Sequence, residues 1–243
     1  MLKGETPSNM NQTEQLIRCG MAYIDAINNL NEDHPENVSR ILDILDCVHL
    51  DAGYHIGIYI EEICHEHHFT NQCEQSWFHC YQGKEEPIMR RPYDSWEWEN
   101  DGNENMRFLR LTFEMFNHLT IDATPMGAWQ FYLLCISRAL LPFSGSLYYT
   151  KRQLIFTNDQ LPEIWVECED SIDDKLERVK YDGDLSPSII AKGNEYIVSC
   201  CFWTKWGGLI RETVCLTFKE NGKLTIGDFK HDTLYQYDCG VMY

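Results

Sequence analysis

Apolar residues recur at helical spacing through most of residues 13–141, and after Pro187 the period drops to two. Thr13 can cap a first helix whose apolar positions are Leu16, Tyr23, Ile24, Ile27 and Leu30. Asn31-Glu32-Asp33-His34-Pro35 ends it. A second stripe follows, made of Val38, Ile41, Leu42, Leu45, Val48, Ala52, Ile56, Tyr59, Ile60 and Ile63. It predicts one long helix from Glu36 to His68. Straight, that helix would span about 50 Å. A compact chain of this size has a radius of gyration near 18 Å, so a break near Gly53 is expected. Met106, Leu109, Phe113 and Phe116 predict a third helix over 103–118, although Leu109, Leu111, Phe113 and Met115 also suit a strand. Thr124-Pro125 is a start signal, a cap residue followed by proline in the first turn. The helix it opens, through Leu141, is apolar nearly all round and therefore buried.

Candidate strands lie at residues 188–191, 195–204, 209–218, 223–229 and 233–238. They are separated by Gly193-Asn194, Gly207-Gly208, Asn221-Gly222 and Lys230–Asp232. Asn-Gly is the strongest short hairpin signal, and connections this short make neighbouring strands antiparallel. The prediction is an α+β protein: about four N-terminal helices packed against a C-terminal antiparallel β-meander. Residues 1–157 form the mainly helical region, with an irregular insertion at 69–102. Residues 158–186 form an acidic connector with a short helix at 171–179, and residues 187–243 form the sheet region. Residues 147–157, around Lys151-Arg152, are rich in strand formers.

The chain has 243 residues, 44% hydrophobic and 13% aromatic, enough for a sizeable core. Its net charge of −18 argues against a nucleic-acid groove, which needs clustered Lys and Arg. The excess is uneven, with 22 acidic and 8 basic residues in 1–123. Eleven cysteines without a repeating framework, behind an N-terminus with no apolar signal region, predict reduced thiols and a cytoplasmic location. The most apolar window, Trp129 to Leu141, is too short to cross a bilayer, so no membrane partner is expected.

Candidate chemistry gathers in residues 61–80, EEICHEHHFTNQCEQSWFHC. On a helix, Glu62, His65 and Glu66 would share one face, with Glu61, His65 and His68 on the next. Glu62-x-x-His65 is the spacing with which bundle di-metal proteins aim a carboxylate and an imidazole inward, but such sites need two of these pairs and only one is present. Cys64, Cys73 and Cys80 are too widely spaced for the close cysteine pairs of structural zinc sites. The plainer reading is the polar end of a helix, where histidines suit the dipole. A divalent metal on Glu62, His65, His68 and Cys64 defines one functional alternative, a metal-dependent hydrolase or oxidoreductase; otherwise no cofactor is implied. Asp51 and His55, at i and i+4, read as a hydrogen-bonded pair at a core edge before they read as acid–base machinery. Dinucleotide, Walker, nucleophile-elbow and His-Glu-x-x-His motifs are all absent.

Recognition has a clearer sequence basis. Trp96 and Trp98 alternate with Glu97 and Glu99, and the hairpin tip carries Trp203, Trp206 and nearby Arg211. These residue types dominate binding hot spots. With the acidic first half, they predict a cytoplasmic protein-interaction module, of inhibitor or immunity type, that binds a basic partner. Glu212 shares a strand face with Ile210, Val214, Leu216 and Phe218. Its expected place is the end of the sheet, reaching water, because buried unpaired acids are rare.

Overall fold

The computed structural model of the chain describes residues 11–31, 33–63, 73–83, 87–92, 117–137, 140–142, 151–166, 175–220 and 223–237. Helix α1 spans Gln12–Asn28. Asn11 caps it: the Asn11 side chain accepts from the Glu14 amide, and Glu14 reaches back to the Asn11 amide. This capping box satisfies two amides that the helix cannot satisfy itself. Leu16, Gly20, Tyr23 and Ile27 form the buried face. A 3-10 turn at Pro35–Val38 and a short helix α2, Arg40–Ile44, follow.

The long second helix does not form. From Val48 the chain is extended, with β1 at Val48–Leu50 and β2 at Tyr54–Ile63. The apolar residues of 54–63 fit two periods at once. Ile56, Tyr59, Ile60 and Ile63 mark a helix, whereas Ile56, Ile58 and Ile60 mark a strand, and those three isoleucines are at most 3% exposed. β-branched side chains pack well on a pleated surface and lose rotamer freedom in a helix. Gly53, at φ +82°, makes the turn between the two strands. The insertion expected at 69–102 also contains ordered strands, β3 at Cys73–Gln82 and β4 at Ile88–Pro92. β2 lies between them, antiparallel to β3 and parallel to β4.

β5, Leu119–Ile121, pairs antiparallel with β1. Helix α3, Pro125–Cys135, is capped by the Thr124 hydroxyl, which accepts from the Gly127 amide. It is buried from Gly127 to Leu134, as its all-round apolarity requires, and it ends six residues before the expected Leu141. Thus α1, α2 and α3 are the α-helices among the described residues, and the expectation of about four is corrected. The helix expected at 103–118 lies almost wholly outside the described residues.

β6 is Gln153–Ile155, and the acidic segment after it holds a hairpin of β7, Glu163–Val166, with β8, Lys175–Arg178. Residues 175–178 are therefore strand where a short helix was expected. β9 (Ser188–Lys192), β10 (Glu195–Thr204), β11 (Gly208–Phe218) and β12 (Leu224–Tyr235) form the antiparallel meander. β12 runs through Lys230–Asp232, where a break was expected, and register shifts absorb the irregularity. One edge of β10 pairs with β11; the other is shared by β9 at residues 195–199 and β6 at residues 201–203.

Strand alternation splits β10 and β11 between two apolar cores. Tyr196, Val198, Cys200 and Phe202 join Val214, Leu216 and Phe218 in the main core, which also holds Leu16, Tyr23, Ile58, Trp129 and Tyr132. On the opposite face, Cys201, Trp203 and Leu209 pack with Ile155, Leu161, Ile164, Val179 and Leu185. Among the described residues the α+β class is roughly consistent, with more sheet and less helix than the sequence pattern implied. At the β10–β11 tip, Gly208 has φ +78°, and a Cβ there would strike the Tyr235 carbonyl and the Tyr237 amide. Gly208→Ala is expected to cost about 1–3 kcal/mol in a urea unfolding measurement. A loss below about 0.5 kcal/mol would contradict this tip conformation.

Candidate functional site

β11 pairs with β12 so that Glu212 faces His231. Both belong to the sheet face turned toward α3, whose Tyr132 approaches the same carboxylate. The Tyr132 hydroxyl donates to Glu212 Oε1 at 2.9 Å, and Arg152 Nη1 donates to that oxygen at 2.8 Å. Glu212 Oε2 lies 2.5 Å from His231 Nε2. The Arg152 guanidinium also sits 4.1 Å above the Phe202 ring, and His231 meets that ring edge-on. The expected placement of Glu212 is therefore corrected. It is 0% exposed, in the interior rather than at a wet sheet end. Burying a carboxylate costs several kcal/mol unless its charge is paired and its lone pairs are satisfied. One arginine, one phenol and one imidazole meet both requirements here.

Exposure rises outward through this group: Tyr132 and Glu212 are fully buried, Arg152 is 20% exposed and His231 is 47% exposed. A buried carboxylate holding a half-exposed imidazole can orient it for proton transfer. The neighbouring thiols do not act as nucleophiles with it. Burial pushes Cys135 and Cys200 far above the usual thiol range, and the Glu212 charge adds to both shifts. Such groups remain protonated and inert. Burial, followed by the charges of Cys200 and Glu212, likewise raises Tyr132, which stays a donor. The cluster is chemically a charge clamp between helix and sheet.

A second polar cluster lies where β1 meets β5. Asp46, Asp51 and Asp122 are exposed around this ribbon. Asp122 pairs with His49 at 3.0 Å and Asp51 with His118 at 3.5 Å; the His118 ring stacks on Tyr54. Gln130 ties the ribbon to α3 by donating to Asp46 and accepting from the Cys47 amide, each at 2.7 Å. Lys223 donates to the carbonyls of Asn117 and Leu119.

Most of the residues expected from sequence fall outside the described ones. Trp96, Trp98, Glu97 and Glu99, like Cys64, His65 and His68, lie outside the described residues. Glu62 is on strand β2, opposite Glu74, so the helical i, i+3 geometry that joined it to His65 does not apply at that position. No group of three or more His, Cys, Asp or Glu side chains able to hold a metal occurs among the described residues. Asp51 and His55 do not share a helical face; Asp51 precedes β2 and faces His118 instead. Trp203 is 5% exposed and packs on Tyr235 and Tyr237, while Trp206, at the tip, is 37% exposed. Arg211 donates to the Asp184 carbonyl and to Cys201 Sγ.

The chain matches no protein-family model, no curated protein and no solved structure. No helix among the described residues is long and apolar enough to cross a membrane.

Proposed function

We propose that this protein is a cytoplasmic protein-interaction module, of inhibitor or immunity type, that captures a basic protein partner. The observation that carries the reading is the acidic ribbon. Asp46 and Asp122 lie at one end of it and Asp51 at the other, all on exposed positions, with histidines rather than lysines or arginines paired to Asp122 and Asp51. The rest of the first half adds to this field, and a cationic surface would be steered toward it. Gln130 and the strand pairing hold the ribbon rigid, so little ordering entropy is lost on docking. Trp206 supplies an aromatic anchor on a separate, tight tip.

The test is affinity capture from the native cell at low salt and at about 0.5 M salt, where exposed charges are screened. A basic protein should be retained at low salt and weakened at high salt. A variant carrying Asp46→Asn, Asp51→Asn and Asp122→Asn should lose association rate by about tenfold or more. Salt-insensitive capture, or a triple variant with unchanged kinetics, would refute the ribbon as the docking surface.

A further inference from the structure

Away from the acidic ribbon, a cavity of about 770 Å³ opens where α1, β6 and β7 meet. Its volume falls in the range of small-molecule sites. Three cations line it, Lys151, Arg152 and Lys205, in a chain whose net charge is −18. Among the described residues of the wall the one carboxylate is Glu163, which has Arg178 3.9 Å away as a counter-ion. The remaining wall is largely apolar, with Ile27, Leu154, Ile164 and Trp203 among its members.

We propose that this cavity binds an organic anion: a carboxylate, phosphate or sulfonate head carried on a hydrophobic body. Arg152 is the central recognition group. A guanidinium has five N–H donors in a fixed fork. One Nη1 donor is held by Glu212 at 2.8 Å, which sets the plane of the fork, and Arg152 is among the residues that line the cavity. Buried Glu212 thus acts as a positioning residue behind the site, comparable to the carboxylates that orient metal-binding histidines. Lys151 and Lys205 bring two more charges to the same wall, and ligand charge would be compensated in a partly desolvated space. The aliphatic wall and the Trp203 ring would take the body of the ligand. An inorganic ion would leave that apolar surface wet, and a neutral apolar molecule would forgo the attraction of the lysines that line the cavity.

The cavity shares no residue with the acidic ribbon, so the two proposals fail separately. The probe is 8-anilinonaphthalene-1-sulfonate, an organic anion with an apolar body, titrated by fluorescence into the full chain. Near-UV circular dichroism should be unchanged throughout, which separates site binding from binding to a loosened core. The expected result is saturable binding at one site. Lys151→Gln with Lys205→Gln should weaken it by about tenfold or more, the cost of losing charge-assisted contacts. These two substitutions leave the Arg152–Glu212 pair in place. Uncharged N-phenyl-1-naphthylamine should bind at least tenfold more weakly, and inorganic phosphate at about millimolar concentration should not displace the sulfonate. Equal binding of the neutral probe, an unaffected double variant, displacement by phosphate alone or the absence of saturable binding would each overturn the proposal.

Discussion

Glu212→Ala is expected to lower the unfolding free energy by about 3–5 kcal/mol, the usual cost of removing one member of a buried charge pair. At about 2–4 °C per kcal/mol for a chain of this size, the melting temperature should drop by roughly 6–20 °C. The loss comes from what remains behind. The Tyr132 hydroxyl is fully buried and would have no acceptor, and the Arg152 guanidinium, four-fifths buried, would have no counter-charge. His231 is half exposed and would turn to water at little cost. Removing the charge pair together with the need for it should behave differently. Glu212→Leu combined with Arg152→Met should recover the share of the loss that comes from the stranded guanidinium, because well-packed apolar residues replace buried ion pairs at little or no net cost. The share from the Tyr132 hydroxyl remains. Urea unfolding of both singles and the double closes the cycle. Additive losses, or Glu212→Ala within about 1 kcal/mol of the parent, would contradict the clamp.

A second large effect is expected at alkaline pH. Burial, ahead of every other cause, pushes the Cys19 and Cys80 thiols up to about 12, and raises Cys135 and Cys200 at least as strongly. In the unfolded chain these thiols ionise near 9.0. The folded state therefore holds their protons more tightly. The stability this confers is fully present below pH 9 and is lost as pH rises from 9 toward 12. Each such thiol contributes a slope of up to about 1.4 kcal/mol per pH unit in that window. Tyr23 and Tyr132, raised first by burial, add to the decline above pH 10. Urea unfolding under reducing conditions at pH 8, 9 and 10 should show a steep fall over the last interval, and Cys135→Ala should flatten it by one thiol's share. A level profile from pH 8 to 10 would show that these thiols are not buried as described. In native protein at pH 8, a thiol reagent should leave Cys200, which is buried, untouched.

Local signals explain which parts of the fold were readable. The α3 start was legible because Thr124 and Pro125 act on their own first turn. The meander was legible because Gly193 and Gly208 sit at positive φ, a constraint written in single residues. The α1 cap is Asn11, two residues before Thr13, because Asn11 and Glu14 satisfy each other's amides in a reciprocal capping box that Thr13 cannot form. Residues 54–63 are not legible from the sequence because their isoleucines satisfy both periods, and only the partner strands β3 and β4 decide between them. The site was the least legible part. Glu212 could be seen among apolar neighbours, but the groups that make its burial tolerable lie 80, 60 and 19 residues away in the chain. No local pattern announces Arg152 as the counter-ion of Glu212.

The sharing of one core by both ends of the chain has a consequence during synthesis. α3 leaves the ribosome apolar on every side, yet the sheet that covers it is complete only when β12 emerges, about a hundred residues later. At ordinary elongation speeds that interval is about 5–20 s. Throughout it, Trp129, Phe131, Leu133 and their neighbours lack the β10 and β11 surface they pack against in the finished protein. A nascent chain in that condition is a substrate for chaperones. Its yield in a cell-free system should therefore depend more on added chaperones than on the rate at which the meander itself folds.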